Sequence, residues 1–264
     1  MAGGTKRLGN YREQAKSYDF TRGASPTVVD ALGDRIGEAG ERSLLDAAGG
    51  TGNYAVAMAA LGFRVVVLDA QIDMLRRAVL KLGSRRTVVG DVQSMPFPDR
   101  SFDVVMMVNA IHLVTDRVAA LREARRVMRD GPLVLTAFTR ENLASLFVFE
   151  YFGLADEIEE RASDAEVEAM LHDAGFMKVV HRPYAYADVE DGSLNALHID
   201  ARALADPKRL RNTSFWHRLD EDTRRRGVEA LRRDLESGAL ERRVAAGRKS
   251  AESDGHGTLF AAWP

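Results

Sequence analysis

Between residues 43 and 138 the chain alternates two kinds of apolar pattern. Short runs rich in β-branched residues stand at 44–47, 65–68, 87–89, 104–108 and 133–138, and segments of helical period lie between them at 54–61, 72–82 and 118–128. The runs are apolar at successive positions, so both faces of each strand meet protein, as in a parallel sheet. Alternation at this spacing predicts right-handed crossovers in an α/β, doubly wound, mostly parallel sheet with helical insertions. After residue 139 the pattern changes. Residues 143–158 are apolar on nearly every side and predict one helix, either packed on the core or forming the wall of a pocket. Ser163 and Asp164 predict an N-cap for a helix through His172 that ends at Gly175. Residues 177–186 predict a strand, 192–250 a charged and mostly helical stretch, and 257–263 a final strand. Residues 1–20 are polar and Gly-rich, with a helix expected around Tyr11 to Tyr18.

Composition narrows the function classes. A chain of 264 residues that is 45% hydrophobic and 29% charged can bury a sizeable core, and one domain with insertions is the expectation. The division predicted over residues 1–264 is a helical cap at 1–40, a cofactor-binding core at 41–138, and insertions at 139–163 and 187–256 that form an acceptor pocket. A net charge of −2 offers no electrostatic reason for a nucleic-acid partner. The arginines of the insertion alternate with acids (Glu221, Asp222, Arg224, Arg225, Arg226, Glu229), as on solvated helix faces. The absence of cysteine excludes a disulfide framework and a thiol nucleophile, and no His or carboxylate spacing suggests a metal site. No apolar window approaches the ~18 residues of a membrane span. The N-terminus lacks the apolar stretch of a signal peptide, so the cytoplasm is the default location.

The chemistry concentrates at the end of the first strand. Leu44–Leu45–Asp46–Ala47 runs into Ala48–Gly49–Gly50–Thr51–Gly52–Asn53 and then a helix. A Gly-rich turn admits close backbone approach, and the helix N-terminus behind it offers free N–H groups. The second strand ends in Asp69, where a carboxylate can accept hydrogen bonds from both hydroxyls of a ribose. A nucleoside-bearing cofactor across these strand ends is the consequence. The spacing Gly50-x-Gly52-x-x-Ala55 also fits a dinucleotide fingerprint. Asp91, at the end of the third strand, can accept from an exocyclic amine such as that of adenine, with Met74 and Val92 as apolar faces for the ring.

The stretches LLDAAGGTGNYAVAMA, VVVLDAQIDML, VVGDVQSMPFPDRSFDVVMMVNAIHLVTD and ALREARRVMRDGPLVLTAF resemble, in this order, the motifs of class I S-adenosylmethionine-dependent methyltransferases. The resemblance is closest to the branch that includes ubiquinone/menaquinone biosynthesis and natural-product methyltransferases. It covers residues 10–186, with 257–263 completing the family's seven-stranded sheet. It implies S-adenosylmethionine as methyl donor, S-adenosylhomocysteine as product, and a homodimer as the common assembly of the branch. It implies that Asp46, Gly50 and Gly52 hold the methionine moiety and shape the turn, that Asp69 binds the ribose, and that Ala70 and Met74 meet adenine. Asp91 and Val92 would take the adenine edge, and Asn109 would sit near the sulfonium. Ala48 stands where the family has its first glycine. The segment Tyr11-Arg12-x-x-Ala15-x-x-Tyr18-Asp19 resembles a helix that closes over the cofactor, from which Tyr18 and Arg22 reach the methionine carboxylate or the acceptor; a surface helix packed through its tyrosines is the alternative.

Methyl transfer from a sulfonium is an in-line displacement that depends mainly on alignment and exclusion of water. A base is needed only where the acceptor must lose a proton. His112, three residues past Asn109, is the candidate, with a pKa expected to suit neutral pH; a structural histidine is the alternative. His172 and His181 are expected to be structural, whereas one of His198, His217 and His256 can line the pocket. Residues 143–154 and part of 192–220 are expected to form the acceptor pocket, with Phe147, Tyr151 and Trp216 as contacts and Phe149 as a further position to test, and their apolar character favours a small hydrophobic or aromatic molecule. Two rival functions remain open at this point: a nicotinamide-dependent oxidoreductase, resting on the Gly50–Ala55 spacing, and a non-methylating S-adenosylmethionine-binding protein.

Overall fold

The computed structural model describes residues 18–264 apart from Ala155 and Ser214. The helix expected around Tyr11 therefore lies outside the described residues up to Tyr18, and residues 18–21 are helical. The elements that follow are α1 (Pro26–Ile36), β1 (Ser43–Ala47), α2 (Asn53–Ala60), β2 (Arg64–Asp69), α3 (Ile72–Leu82), β3 (Thr87–Val89), β4 (Val104–Val108), α4 (Arg117–Val127) and β5 (Leu133–Ala137). Beyond them come α5 (Arg140–Ala144), α6 (Val148–Phe152), α7 (Asp156–Glu159), α8 (Asp164–Asp173) and β6 (Lys178–Tyr184). The chain ends with α9 (Leu194–Leu197), α10 (Ala201–Leu204), α11 (Pro207–Leu210), α12 (Glu221–Glu236), α13 (Ala239–Asp254) and β7 (Gly257–Trp263).

The strands form one seven-stranded sheet in the order β3-β2-β1-β4-β5-β7-β6. Pairing is parallel from β3 to β5, and β7 runs antiparallel to both β5 and β6. The central strands are buried on both faces, as their unbroken apolar runs require. Leu45, Val105 and Leu135 face a core closed by α4 and α8. Leu44, Val104 and Val134 face the other core, closed by α1, α2 and α3. Chain order reverses between β1 and β4, which opens a crevice at the carboxyl ends of these strands.

The expected single helix over 143–158 is instead three short ones, α5, α6 and α7. Ser145 Oγ donates to the Asn142 carbonyl and competes with the helical ladder there, and Gly153 ends α6 at φ 64. The expected strand 177–186 is shorter at both ends, and Ala137 rather than Phe138 ends β5. The capping box of Ser163 and Glu166 starts α8 where the sequence places it. Residues of 139–163 and 187–256 share a third apolar core: Leu143, Phe149 and Phe152 pack with Leu197, Phe215, Leu231 and Leu240. Gly227 makes this packing close, because a Cβ there would lie 2.2 Å from the Phe152 ring. Among the described residues no helix is long and apolar enough to cross a membrane, and no group of His, Asp or Glu forms a metal site.

Candidate active site

The crevice holds a cavity of about 340 Å³ lined from five strand ends and loops. The turn after β1 is built by left-handed backbone: Ala48 at φ 62, Gly50 at φ 56 and Gly52 at φ 75. A Cβ on Gly49 would stand 2.5 Å from Asp46 Oδ2, so this glycine is required sterically, although it falls outside the motif glycines named from sequence. Gly52 caps α2 and packs on Ala78 of α3; it shapes the turn without lining the cavity.

Asp46 is 1% exposed and lines the cavity, and among the described residues neither carboxylate oxygen has a partner within hydrogen-bonding geometry. Burial, with Asp69 adding to it, pushes its pKa up to about 7. Such a group is completed by a cationic ligand atom. Asp69 accepts from Gly50 N at 2.8 Å on one oxygen and Gln71 N at 2.7 Å on the other, which holds the carboxylate edge toward the cavity. Each oxygen keeps acceptor capacity for a diol. Burial still raises its pKa against those two hydrogen bonds. Ala70, Met74 and Val92 line the adjoining wall, with Asp91 exposed at its rim and oriented by Gln93 N at 2.9 Å.

Residues 18–22 close one side. Asp19 Oδ1 accepts from Thr51 Oγ1 at 2.7 Å and pairs with Lys81 at 2.9 Å, which ties the segment to the glycine turn. Arg22 lies over the Tyr18 ring at 5.1 Å and donates to the Gly192 carbonyl at 3.2 Å. Asp191, 2% exposed, was not visible in the sequence as a site residue; its only signal is an acidic turn after β6. Its carboxylate accepts from Tyr54 Oη at 2.6 Å, Asn109 Nδ2 at 3.3 Å and Ser193 N at 2.9 Å, and stands 3.8 Å from Arg22. Asn109 ends β4 at φ 52 and is held a second time by Thr136, whose hydroxyl donates to its side chain at 2.9 Å.

Tyr18, Arg22, Asn109 and Leu113 also line a second cavity of about 100 Å³, so the two adjoin across these residues. The second chamber has aromatic and aliphatic walls from Phe138, Leu143, Phe149, Leu194 and Phe215. His112 lines it, with Nδ1 buried and, among the described residues, without a hydrogen-bond partner. The expectation of an imidazole poised near neutral pH is corrected: burial, then Arg161, Arg117, Arg218 and Arg22, holds its pKa well below the ordinary value. It is neutral throughout the neutral range.

The three acceptor contacts expected from sequence do not line this chamber. Phe147 packs on His198 at 4.1 Å and under Arg243, Tyr151 donates its hydroxyl to Asp234, and Trp216 packs on Phe152 beside an outer groove. Their neighbours Phe149 and Phe215 take the inward positions. His172 bonds the Phe176 carbonyl, and His181 stacks on Phe260, as structural residues do. His198 and His256 are buried and hydrogen-bonded to backbone N–H groups, outside both cavities.

Residues 45–136 match a family described as a methyltransferase domain. The chain is an S-adenosylmethionine-dependent methyltransferase. The methyltransferase is 29% identical to a demethylmenaquinone methyltransferase of Beutenbergia cavernae, over 72% of this chain and 88% of that one. It is 32% identical to a malonyl-[acyl-carrier protein] O-methyltransferase of Pseudescherichia vulneris, covering 47% of itself and only 49% of that relative. In fold it matches a solved methyltransferase from an antibiotic biosynthesis pathway of Anabaena variabilis with a TM-score of 0.80, covering 92% and 99% of the two chains at 21% identity. The orphaned Asp46 carboxylate, the Asp69 edge and the glycine turn fit an adenosyl amino acid, so S-adenosylmethionine is the methyl donor of this methyltransferase and the oxidoreductase reading is set aside.

Proposed function

We propose that this methyltransferase binds its donor in the larger cavity and methylates a small hydrophobic or aromatic molecule held in the smaller chamber. The donor supplies an electrophilic methyl group; the residues described here bind, align and exclude water. In this reading Asp46 takes the amino acid ammonium, Asp69 the ribose, and Ala70, Met74, Val92 and Asp91 the adenine. Arg22 and Tyr18 close the methionine end, and Asn109 stands at the passage to the chamber. The insertions 139–163 and 187–256 act together as the acceptor unit. The observation that supports this is that the two cavities adjoin and share Tyr18, Arg22, Asn109 and Leu113 as lining. A chamber of about 100 Å³ suits a single ring; an apolar cavity of about 150 Å³ holds benzene. The test is calorimetry with S-adenosylmethionine and S-adenosylhomocysteine, followed by methyl-transfer assays on single-ring phenols, acids and amines. Donor binding without transfer to any small acceptor would favour a binding protein of the same fold.

A further inference from the structure

The two adjoining cavities carry opposite charge. Among the described residues four carboxylates line the larger cavity, those of Asp46, Asp69, Asp91 and Asp191, against the single cation Arg22. The second chamber is lined by Arg22 and Arg161 and by no carboxylate among the described residues. Arg22 is the shared group, and the acid beside it, Asp191, lies on the donor side. Arg117 and Arg218 add to the positive field at His112, which faces the chamber as a neutral ring. The remaining polar groups of the wall (Ser193, Asn195, Asn212 and Thr213) carry no charge.

We infer that the acceptor occupies the chamber as an oxyanion on a single-ring or similarly flat apolar body, held by the field of Arg161 and Arg22 rather than by proton transfer to His112. The acceptor's proton leaves to solvent before or during binding. In the transfer the acceptor's lone pair forms the bond to the methyl carbon, the C–S bond breaks with its electron pair going to sulfur, and a cation and an anion become two neutral products. The acidic cleft and the basic chamber thus each match the charge of one reactant. This inference rests on the assignment of the smaller chamber to the acceptor.

The probe is 4-nitrophenol, whose ionised form has its own visible absorption, added to the protein saturated with S-adenosylhomocysteine. 4-Nitroanisole has the same ring without an ionisable oxygen, and 4-nitrobenzoate carries a carboxylate instead. The expected result is a bound phenolate band at a pH where the free probe is mostly protonated. That corresponds to a lowering of the probe's pKa by about one unit, or about tenfold tighter binding than the ether. Binding of 4-nitrobenzoate in place of the phenolate would assign the oxyanion to a carboxylic acid. Arg161→Gln should remove most of the preference, and His112→Gln should keep the phenolate band. Equal affinity for phenol and ether, or a band that vanishes in His112→Gln, overturns the inference and leaves the acceptor chamber in place. Binding of none of the three, with adenosyl binding intact, overturns the chamber assignment and the inference with it.

Discussion

The donor cleft and the chamber beside it meet at Tyr18, Arg22, Asn109 and Leu113, yet they are built in different ways. The cleft is the crevice that a doubly wound sheet leaves where strand order reverses, and Asp46, Asp69 and Asp91 each stand at or just past a strand end. The sheet fixes their positions, and the residues differ from solvent-facing ones mainly by being acidic where a ligand must be cationic or rich in hydroxyls. The chamber has no such frame. Its walls come from residues 18 to 215, brought together by a third apolar core that joins several short helices to α12 and α13. A rigid frame supplies the common chemistry, and a separately packed unit supplies what varies between substrates.

The most damaging way to break this contrast is at the carboxylates of the cleft. Asp69→Ala removes the hydrogen bond that holds Gly50 N and, in the proposed reading, the ribose contact; with hydrogen bonds to charged groups worth about 1.5–3 kcal/mol each, adenosyl affinity should fall by about 100-fold or more. Asp46→Asn should weaken binding comparably and also change its pH dependence. In the ligand-free protein the Asp46 carboxyl is protonated below about 7, and a cation requires it ionised. Affinity for S-adenosylmethionine should therefore rise with pH up to about 7, and binding near pH 6 (a chosen condition, about one unit lower) should release a proton, seen as a dependence on buffer ionisation enthalpy in calorimetry. The stability of the ligand-free protein runs the opposite way with pH. A raised carboxyl pKa favours folding below the ordinary carboxylate range, and that contribution is lost as pH rises through about 7. Asp46→Asn should accordingly make the ligand-free protein more stable above that pH, on the order of 2–4 kcal/mol. An unchanged melting temperature together with buffer-independent binding heat in the unmodified protein would sink this account of Asp46.

A milder set of changes sharpens the boundary of the chamber. Phe215→Ala and Phe149→Ala should raise the KM for the acceptor about tenfold, as expected for losing much of a buried aromatic contact, while S-adenosylhomocysteine affinity stays within a factor of about two. Phe147→Ala should instead lower thermal stability, because it removes the contact with His198 and Arg243, and leave the acceptor KM alone. The reverse pattern, with Phe147 controlling KM and Phe149 silent, would return the acceptor site to the face expected from sequence.

That reversal shows where the sequence stops being legible. Residues 147 and 151 share a face of an uninterrupted helix over 143–158, so a continuous reading assigns both of them inward. Ser145 interrupts the helix and Gly153 ends its successor, and the new phase turns Phe149 inward while Tyr151 reaches Asp234. The five parallel strands, α3 and β7 were legible because apolar runs and helical periods were long enough to resist such local competition. The lining that β1 to β4 give the larger cavity was legible because Asp46, Asp69, Asp91 and Asn109 each stand near a strand end in a short, continuous motif. Asp191 was not, since an Asp-Gly turn in a connection has the same sequence whether it faces solvent or closes on Tyr54, Asn109 and Arg22. The depressed pKa of His112 was equally hidden, because its burial, and then the approach of Arg161, Arg117 and Arg218, come from the fold.

The smallest expected effect lies in the donor turn itself. Ala48 sits at φ 62, where an L-residue costs roughly 1–2 kcal/mol, and the resembled family has glycine there. Ala48→Gly relieves that strain. Against it stand the larger backbone entropy of glycine in the unfolded chain, about 0.4–1 kcal/mol, and the loss of a partly buried methyl that packs on the core beneath, up to about 0.8 kcal/mol. Strain relief should win by less than about 1 kcal/mol, which is a rise of about 2–4 °C at most for a chain of this size. Donor affinity should change by less than about threefold. The turn is already fixed by Gly49 N bonding the Leu68 carbonyl, Gly50 N bonding Asp69 and Gly52 N bonding the Gly49 carbonyl, none of which uses the Ala48 side chain. A clear drop in melting temperature would mean that the methyl's packing outweighs the strain. A tenfold loss of donor affinity would mean that the methyl touches the donor, and the cleft would then owe part of its shape to a side chain as well as to backbone.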